Sequence, residues 1–203
     1  MISDYDLVLV AKAAYDPKAI PIFEGIRQSI RIFQSKINDL NIIAIEGTHN
    51  PIGWALDFCA LKATDHEASD HPSLGFLHAG FYAASLLAMP TIKQAIGSDP
   101  FAICGHSLGA AQALLIGGLL IDDGKLPVSI GAFAPPRVGG DQFVNIVKPF
   151  SKAYRYGDDP VPLVPVWTKQ YPYLQVPLIE IGEFRFDVFS SHHIDNYVNS
   201  VPK

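Results

Sequence analysis

One serine stands between two glycines in the stretch GHSLG, and this arrangement strongly restricts the local fold. The short apolar segment 101–104 before it predicts a buried strand, and the apolar segment 108–120 after it predicts a helix. A sharp turn from strand to helix brings backbone segments together and leaves no room for side chains two residues before and after the serine. Because Gly105 and Gly109 meet this requirement, the pattern predicts that Ser107 stands on such a turn, with its hydroxyl held clear of a sheet.

Strand-like and helix-like segments alternate along the rest of the chain. Hydrophobic periodicity and turn residues predict strands at 30–36, 40–45, 101–104, 128–134, 153–156, 176–181 and 185–188. They predict helices at 6–15, 79–88, 91–96, 108–120 and 141–147, with Pro90 separating the second from the third. Alternation through the middle of the chain implies a mainly parallel sheet with helices on both faces. The length of 203 residues fits one α/β domain spanning residues 1–203.

Charge and cysteine content exclude several classes of protein. The formal net charge is −5 and no run of lysine or arginine occurs, which argues against a nucleic-acid partner because phosphate neutralisation needs clustered cations. The two cysteines, Cys59 and Cys104, cannot form a disulfide framework. We expect both to be reduced residues of the core.

The sequence gives no sign of targeting or of a membrane span. The N-terminal sequence MISDYDLVLVAKAAYDP lacks the basic start and the cleavage site typical of a secretory signal. The longest largely apolar stretch, 108–121, is interrupted by Gln112 and is too short to span a bilayer. We therefore expect a soluble, cytoplasmic protein, and secretion is the alternative.

A serine hydroxyl is a weak nucleophile unless a base takes its proton and a third group orients that base. In open α/β sheets such partners come from loops at the carboxyl ends of later strands. The segment RYGDDPVP supplies Asp158 and Asp159. The segment SSHHIDNY supplies His192 and His193. The order serine, aspartate, histidine is the chain order of the α/β-hydrolase arrangement.

Four blocks of the sequence together resemble the class 3 lipase family, which includes fungal triacylglycerol lipases. The blocks are AIEGTHNPIGWALDF, HAGF followed by CGHSLGAAQA, FAPPRVG, and YRYGDDPVPLVP. With a late His-x-x-x-x-Tyr, they span residues 42 to 197 in the order of the family. The resemblance implies an α/β-hydrolase fold, with a central, mainly parallel sheet and helices on both faces.

The resemblance also implies roles for three side chains. Ser107 is the nucleophile. Asp159, the residue before x-Val-Pro, aligns with the catalytic acid, whereas Asp158 takes the place of a turn asparagine and is expected to cap the turn. The late family block His-Ser-Ile-x-x-Tyr fits with His192 as the base, and His193 then points toward solvent. The residues alone leave Asp158 and His193 as the alternatives.

An oxyanion hole needs two preorganised donors. One is expected from the backbone N–H of Leu108, the residue after the nucleophile. The family takes the other from the Thr or Ser of its F-R-G-T/S block, here Thr48. This chain has Glu46 where the family usually has Arg, so any ion pair of that Arg is expected to be absent or reversed in sign. His106 is expected to support the turn rather than to act as the base.

Two further groups of residues have alternative interpretations. The polar stretch 61–75 contains metal-ligand types, but it is loop-like, and we expect a rim or a lid over the site rather than a metal centre. These residues are Asp65, His66, Glu67, Asp70 and His71. Several aromatic residues could line an acyl or alcohol pocket, although the core is the more common place for each. They are Trp54, Phe81, Trp167, Tyr171 and Tyr173.

These features predict a hydrolase of carboxylic esters that works through an acyl-enzyme and needs no cofactor. The expected substrates are acylglycerols or other short to medium acyl esters, with transient contact to a lipid surface. A phospholipase is the second enzymatic interpretation, although no strongly basic amphipathic helix is evident. A non-catalytic protein that binds lipids or esters on a hydrolase fold is the interpretation from another class.

Overall fold

The computed structural model of the chain describes residues 2–25, 30–49, 65–67, 70–166, 168, 172–184 and 186–203. Within these ranges the strands are β1 Phe23–Glu24, β2 Arg31–Ile37, β3 Leu40–Ile45, β4 Asp65–Glu67, β5 Phe76–His78, β6 Phe101–His106, β7 Ser129–Phe133, β8 Ser151–Tyr156 and β9 Leu178–Ile181. The helices are α1 Asp4–Ala13, α2 Ala79–Ile96, α3 Leu108–Asp122, α4 Asp141–Val147, α5 Val188–Ser191 and α6 Ile194–Ser200. Short 3₁₀ turns occur at Pro72–Leu74, Lys148–Phe150 and Val161–Leu163.

The main sheet has the strand order β1-β2-β3-β6-β7-β8-β9 among the described residues. From β3 to β9 every neighbouring pair is parallel, and β1, β2 and β3 are joined in antiparallel fashion. A crossover connection is needed between parallel strands, which is where α2, α3 and α4 occur. The predicted α/β fold with a mainly parallel central sheet is therefore confirmed.

Helices cover both faces of this sheet. Alternate residues of β3 point to opposite sides: Ile43 packs in a cluster with α2, α3 and α4, whereas Ile42 packs in a cluster with α1 and α6. Cys104 of β6 belongs to the second cluster, and burial raises the pKa of its thiol. Cys59 lies outside the described residues. None of the described helices is long and apolar enough to cross a membrane.

Helix α3 lies at the centre of the larger cluster and carries the residues that follow the serine. Each residue from Gly109 to Leu120 is buried. The helix therefore has no polar face, in contrast to the amphipathic pattern of a surface helix. Its one buried amide side chain, Gln112, accepts a hydrogen bond of 2.5 Å from Ser85 on α2. Buried polar groups are normally paired in this way.

The predicted break at Pro90 is wrong, because α2 continues from Ala79 to Ile96 through this residue. Pro90 is exposed, so the carbonyl that loses its helical donor there can bond to water. The side chains of Met89 and Ile92, on either side of it, are buried. Packing of this apolar face holds one helix together where the sequence predicted two.

The end of the sheet also differs from the prediction. Strand β9 covers the expected segment near 176–181, but no strand follows near 185–188 in the described part of this segment. Phe186 has a φ of 55°, which a strand does not allow, and Asp187 caps a helix through a bond from the backbone of Ser190.

Upstream, the predicted loop 61–75 contains strand β4, which pairs with β5. Residues 61–64 and 68–69 of that loop lie outside the described residues.

His78, the N-cap of α2, makes the stability of the fold sensitive to acid. His78 accepts a bond from the backbone N–H of Phe81 and packs on the rings of Phe81 and Tyr173. Burial lowers the pKa of His78 from 6.5 to about 4, so the folded chain favours the neutral imidazole. Its contribution to stability is complete above pH 6.5 and is lost as the pH falls toward 4.

We predict that the free energy of unfolding falls by about 3 kcal/mol more in the wild type than in His78→Asn when the pH is lowered from 7 to 4. Asparagine keeps the N-cap acceptor but does not titrate. Urea unfolding of both proteins across this pH range measures the difference. Parallel pH profiles for the two proteins would contradict the assignment.

Candidate active site

The serine stands on a strained turn between β6 and α3. Ser107 has φ 59° and ψ −125°, a conformation that residues other than glycine rarely adopt. Its backbone N–H donates to the carbonyl of Phe133 on the neighbouring strand β7, at 2.9 Å. The surrounding sheet therefore fixes a backbone conformation that is unfavourable by itself. Such strain is common at functional sites.

The two glycines of the stretch GHSLG have the role that the sequence predicted. A Cβ on Gly105 would lie 2.3 Å from the carbonyl oxygen of Gly109, and a Cβ on Gly109 would lie 2.2 Å from the carbonyl oxygen of Ile45. Both contacts are with backbone atoms, which cannot rotate away as a side chain could. The close approach of α3 to β3 and β6 thus requires glycine at both positions.

We predict that Gly109→Ala destabilises the protein by about 3 kcal/mol or more, because the added methyl group must push α3 away from β3. Gly80→Ala is the matched control: this glycine is also helical, and its nearest neighbour would be a side-chain atom of His78 at 3.3 Å. Alanine favours a helix by about 1 kcal/mol over glycine, so the control should retain or gain stability. Thermal unfolding of the two variants measures the contrast, and equal melting temperatures would refute this explanation.

Ser107, His192 and Asp159 lie in contact although they come from three distant parts of the chain. Ser107 Oγ lies 2.9 Å from His192 Nε2. On the other side of the ring, His192 Nδ1 lies 2.8 Å and 3.0 Å from the two carboxylate oxygens of Asp159. All three residues are at most 2% exposed. Because an ionised carboxylate only accepts, Nδ1 carries the proton and Nε2 accepts from the serine hydroxyl.

Further donors surround the Asp159 carboxylate. The hydroxyl of Tyr197 donates to Oδ2 at 2.5 Å, and the backbone N–H of Val161 donates to Oδ1 at 2.9 Å. Burial, followed by the charge of Asp159, raises the pKa of the Tyr197 hydroxyl well above its usual value, so this group stays a donor. The guanidinium of Arg155 also donates to the backbone carbonyl of Asp159. These bonds hold the carboxylate in one orientation toward the imidazole.

The neighbouring candidates have other contacts. Asp158 accepts a hydrogen bond of 2.5 Å from the hydroxyl of Ser191. The backbone N–H of Val161 in this turn donates to Asp159, and the capping role of Asp158 stays a prediction. The side chain of His193 is 67% exposed and contacts Asp195. The structure therefore brings Asp159 and His192 to the serine and leaves Asp158 and His193 outside that contact.

His106, next to the serine, holds the loop that carries the imidazole. Its Nε2 lies 3.0 Å from the backbone carbonyl of His192, and its Nδ1 lies 2.9 Å from the hydroxyl of Tyr15. A carbonyl only accepts, so Nε2 carries the proton and Nδ1 accepts from the tyrosine. Burial, with the nearby imidazole of His192, lowers the pKa of His106 well below its usual value. His106 is therefore neutral at neutral pH, and both of its ring nitrogens are bonded to groups other than the serine.

The two predicted oxyanion donors come from separate segments of the chain. Leu108 is the first residue of α3, where the backbone N–H groups have no partner within the helix. The positive end of the helix dipole is at the same place. Thr48 follows β3 and is half-buried. Their roles as donors to an oxyanion stay a prediction.

Glu46, two residues before this threonine, forms an ion pair. The residue at this position contributes the negative charge, so the pair is reversed in sign relative to one made by the Arg that the family usually has here. The carboxylate of Glu46 is buried and contacts the guanidinium of Arg31 at 2.6 Å. Its other oxygen lies 3.0 Å from His49 Nε2. Arg31 comes from the adjacent strand β2, so the sheet itself brings the two charges together. A buried carboxylate without such a partner would be strongly unfavourable.

A cavity of about 740 Å³ lies beside the imidazole and is lined by His192 and Thr48. Helix α1 contributes Leu9 and Ala13 to its lining, and α6 contributes Ile194. This volume is within the range of small-molecule sites, about 300–1,000 Å³. Of the aromatic residues considered for a pocket, Phe81 and Tyr173 are buried in the protein interior, which was the more common place expected for each. The others, Trp54, Trp167 and Tyr171, lie outside the described residues.

The predicted metal-ligand types do not meet around one point in the part of the structure that is described. The imidazole of His71 contacts Asp122 at the end of α3, 2.7 Å from Nδ1 to Oδ2. No group of three or more histidine, cysteine, aspartate or glutamate residues within the described ranges could hold a metal ion. The side chains of Asp65, His66 and Glu67 are outside the description.

Sequence reasoning missed the residues that support the site. Tyr15 and Ser191 were not singled out, and Tyr197 appeared only as the last position of His-x-x-x-x-Tyr. That spacing does contain a signal: with α6 starting at Ile194, it returns Tyr197 toward the turn that carries Asp159. Tyr15 could not be found in this way, because 91 residues separate it from His106.

The sequence matches a described family over most of its length. The family model described as Lipase (class 3) matches residues 42–169. The chain is 35% identical over 130 residues to secreted mono- and diacylglycerol lipase 1 of Fusarium solani. The aligned segment covers 61% of this chain and 39% of that protein. The match thus spans well under half of that relative's length. The family model's range, 42–169, includes Ser107 and Asp159, whereas His192 lies beyond it.

Solved structures support the same fold. Lipase II from Rhizopus niveus superposes with a TM-score of 0.64 at 21% identity, over 93% of this chain and 77% of that one. A mutant form of MDLA from Penicillium cyclopium superposes with a TM-score of 0.65 at 19% identity, over 88% and 76% of the two chains. At these identities the likeness concerns the fold alone.

Proposed function

The chain belongs to the class 3 lipase family, and on that premise we propose that it is a serine hydrolase that cleaves carboxylic esters through an acyl-enzyme. One observation carries the proposal: the imidazole of His192 lies within hydrogen-bond distance of both Ser107 and Asp159. A serine hydroxyl becomes an effective nucleophile when a base accepts its proton and a carboxylate orients that base.

The reaction follows from these contacts. Ser107 Oγ attacks the ester carbonyl carbon while His192 Nε2 takes the hydroxyl proton. The Asp159 carboxylate holds the Nδ1–H and stabilises the imidazolium. When the tetrahedral intermediate collapses, Nε2 returns the proton to the departing alkoxide, and an alcohol leaves. Water then attacks the acyl-enzyme, gives its proton to Nε2, and the acid is released with Ser107 restored.

Negative charge develops on the carbonyl oxygen in both steps. We assign its stabilisation to the backbone N–H groups of Leu108 and Thr48, helped by the positive end of α3. A preorganised donor of this kind lowers the barrier by about 3 kcal/mol. The ion pair of Glu46 and Arg31 supports the residues just before Thr48.

The apolar part of the cavity beside the imidazole supports an ester with an apolar acyl group. Its lining includes apolar side chains such as Leu9, Ala13 and Ile194. Lys12 and Asp195, which also line the cavity, form an ion pair of 2.6 Å that joins α1 to α6. One relative is named a mono- and diacylglycerol lipase, which supports acylglycerols as the substrate class.

Two exposed aromatic residues support transient contact with a lipid surface. Phe184 and Phe186 are 61% and 89% exposed, and their rings meet edge to face at 4.7 Å. They follow β9, at the same edge of the parallel sheet as the turn that carries Asp159. Large aromatic rings at the surface are typical of sites that enter an apolar phase.

Labelling with a fluorophosphonate tests the proposal, because the reagent reacts with an activated serine. We expect an adduct that peptide mass spectrometry locates on Ser107. A chain-length series of p-nitrophenyl esters then measures turnover. Absence of both labelling and turnover in the folded wild type would overturn the proposal and favour a binding protein.

Emulsified acylglycerol distinguishes a lipase from an esterase. A rate that rises sharply above the solubility limit of the substrate supports action at a lipid surface. Phe184→Ser with Phe186→Ser should then lower the rate on the emulsion and leave the rate on soluble p-nitrophenyl acetate unchanged. Leu126→Ser is the control, because Leu126 is 60% exposed and lies before β7, at the opposite edge of the sheet.

The cytoplasmic location expected from the sequence stays a prediction. The Fusarium relative is named as secreted, which supports export as the alternative. Immunoblotting of cell and culture fractions from the native host distinguishes the two.

A further inference from the structure

A second contact joins the two loops that carry the histidine and the aspartate. The residue before His192 is Ser191, and the residue before Asp159 is Asp158. The hydroxyl of Ser191 donates to Asp158 Oδ1 at 2.5 Å. Ser191 is 0% exposed and Asp158 is 6% exposed. We call this bond the loop clamp, and we propose that it positions His192 for its reaction with Ser107.

The segment before His192 has little stability of its own. Helix α5 has only four residues, and an isolated helix of one turn does not form in water. The chain that leads into it carries the exposed ring of Phe186. His192 itself is the C-cap of α5, so it is held mainly by contacts made after this segment folds back on the sheet.

Two buried bonds tie the backbone at His192 to the rest of the site. On one side, His106 holds the carbonyl of His192. On the other side, the loop clamp fixes the residue just before it to the turn that carries Asp159. The imidazole must stay within a few tenths of an ångström of Ser107 Oγ to take its proton efficiently, and a misplacement of 1 Å costs about 100-fold in rate. Loss of either bond would let the ring drift.

The clamp acts through geometry rather than through charge. The bond needs an acceptor at position 158, and the amide oxygen of asparagine would serve as well as a carboxylate. The bond also needs a hydroxyl at position 191, which threonine would supply. Conservative changes should therefore keep the function, and removal of either hydrogen-bonding group should impair it.

Kinetics of a double-mutant cycle test this inference, which rests on the proposed ester hydrolysis. We expect Ser191→Ala and Asp158→Ala each to lower kcat on a soluble p-nitrophenyl ester by about tenfold, with KM nearly unchanged. The double variant should lose no more than the worse single variant, because both changes break one bond. Ser191→Thr and Asp158→Asn should each keep kcat within about threefold. Ser190→Ala, at the exposed neighbouring position, is the control.

The outcomes are distinct. The wild type and Ser190→Ala both keep the clamp, so their activity reports on ester hydrolysis itself. If both were inactive, the proposed function would be refuted rather than the clamp. With both active, a normal kcat for Ser191→Ala, or losses that multiply in the double variant, would overturn the clamp. If the alanine variants unfold, Ser191→Thr and Asp158→Asn test the clamp instead. A tenfold lower kcat and a shifted pH–rate profile for Asp158→Asn would overturn the clamp, because they would show that the charge at position 158 matters rather than the geometry of the bond.

Discussion

Ser107→Ala is expected to lower kcat on p-nitrophenyl esters by about 10⁶-fold, the effect that removal of the nucleophile has in a triad that acts as a unit. The variant has no atom that can form the acyl-enzyme, so His192 has no proton to take in the first step. Fluorophosphonate labelling should disappear with the activity.

The fold should survive this change. The backbone bond from residue 107 to Phe133 does not involve the hydroxyl, and alanine at a φ of 59° is no more strained than serine. A melting temperature close to that of the wild type therefore makes the loss of activity specific to the reaction. Residual turnover above one hundredth of the wild-type rate, about 10⁴-fold more than expected, would show that another group is the nucleophile.

Asp159→Asn is expected to lower kcat by about 10⁴-fold. The shape of the side chain hardly changes, but its amide can present a donor to His192 Nδ1. The imidazole then carries its proton on Nε2, where it cannot accept from the serine. Steady-state measurements of kcat and KM on a soluble ester give the size of the effect, and KM should change little because Asp159 is fully buried.

Asp158→Asn is the matched control for this prediction, since it makes the same exchange one residue earlier. Its carboxylate contacts Ser191 rather than the imidazole, and asparagine preserves that bond. We therefore expect a large loss at 159 and a small one at 158. Equal losses would mean that the two aspartates share the role that the resemblance assigns to Asp159 alone.

The strand, the turn and the helix around Ser107 could be predicted because each local preference points to the same structure. Apolar residues form a buried strand, glycines allow the close backbone contacts, and a run of alanine and leucine favours a helix. The order of the catalytic candidates along the chain could be predicted as well. The residues by themselves left open the choice between Asp158 and Asp159 and between His192 and His193, and only the resemblance to the family favoured Asp159 and His192.

That choice depends on tertiary contacts that spacing does not encode. Adjacent residues in a turn point in different directions, and only the position of the facing loop decides which one reaches the site. The same holds for Pro90, where packing against α3 outweighs a local preference to end the helix. It also holds for Phe186, whose positive φ replaces a predicted strand with a bend. The contact of Tyr15 was the hardest to predict, because its partner, His106, is 91 positions away in the sequence.

The unbroken burial of Gly109 to Leu120 in helix α3 has a consequence for which positions of the chain can change. A helix at the surface accepts changes on its outer positions and resists them every third or fourth residue. From Gly109 to Leu120 there is no outer position, so intolerance to polar or larger side chains should extend without interruption along the segment. A library aimed at new specificity should therefore leave these twelve central positions untouched and vary exposed positions elsewhere.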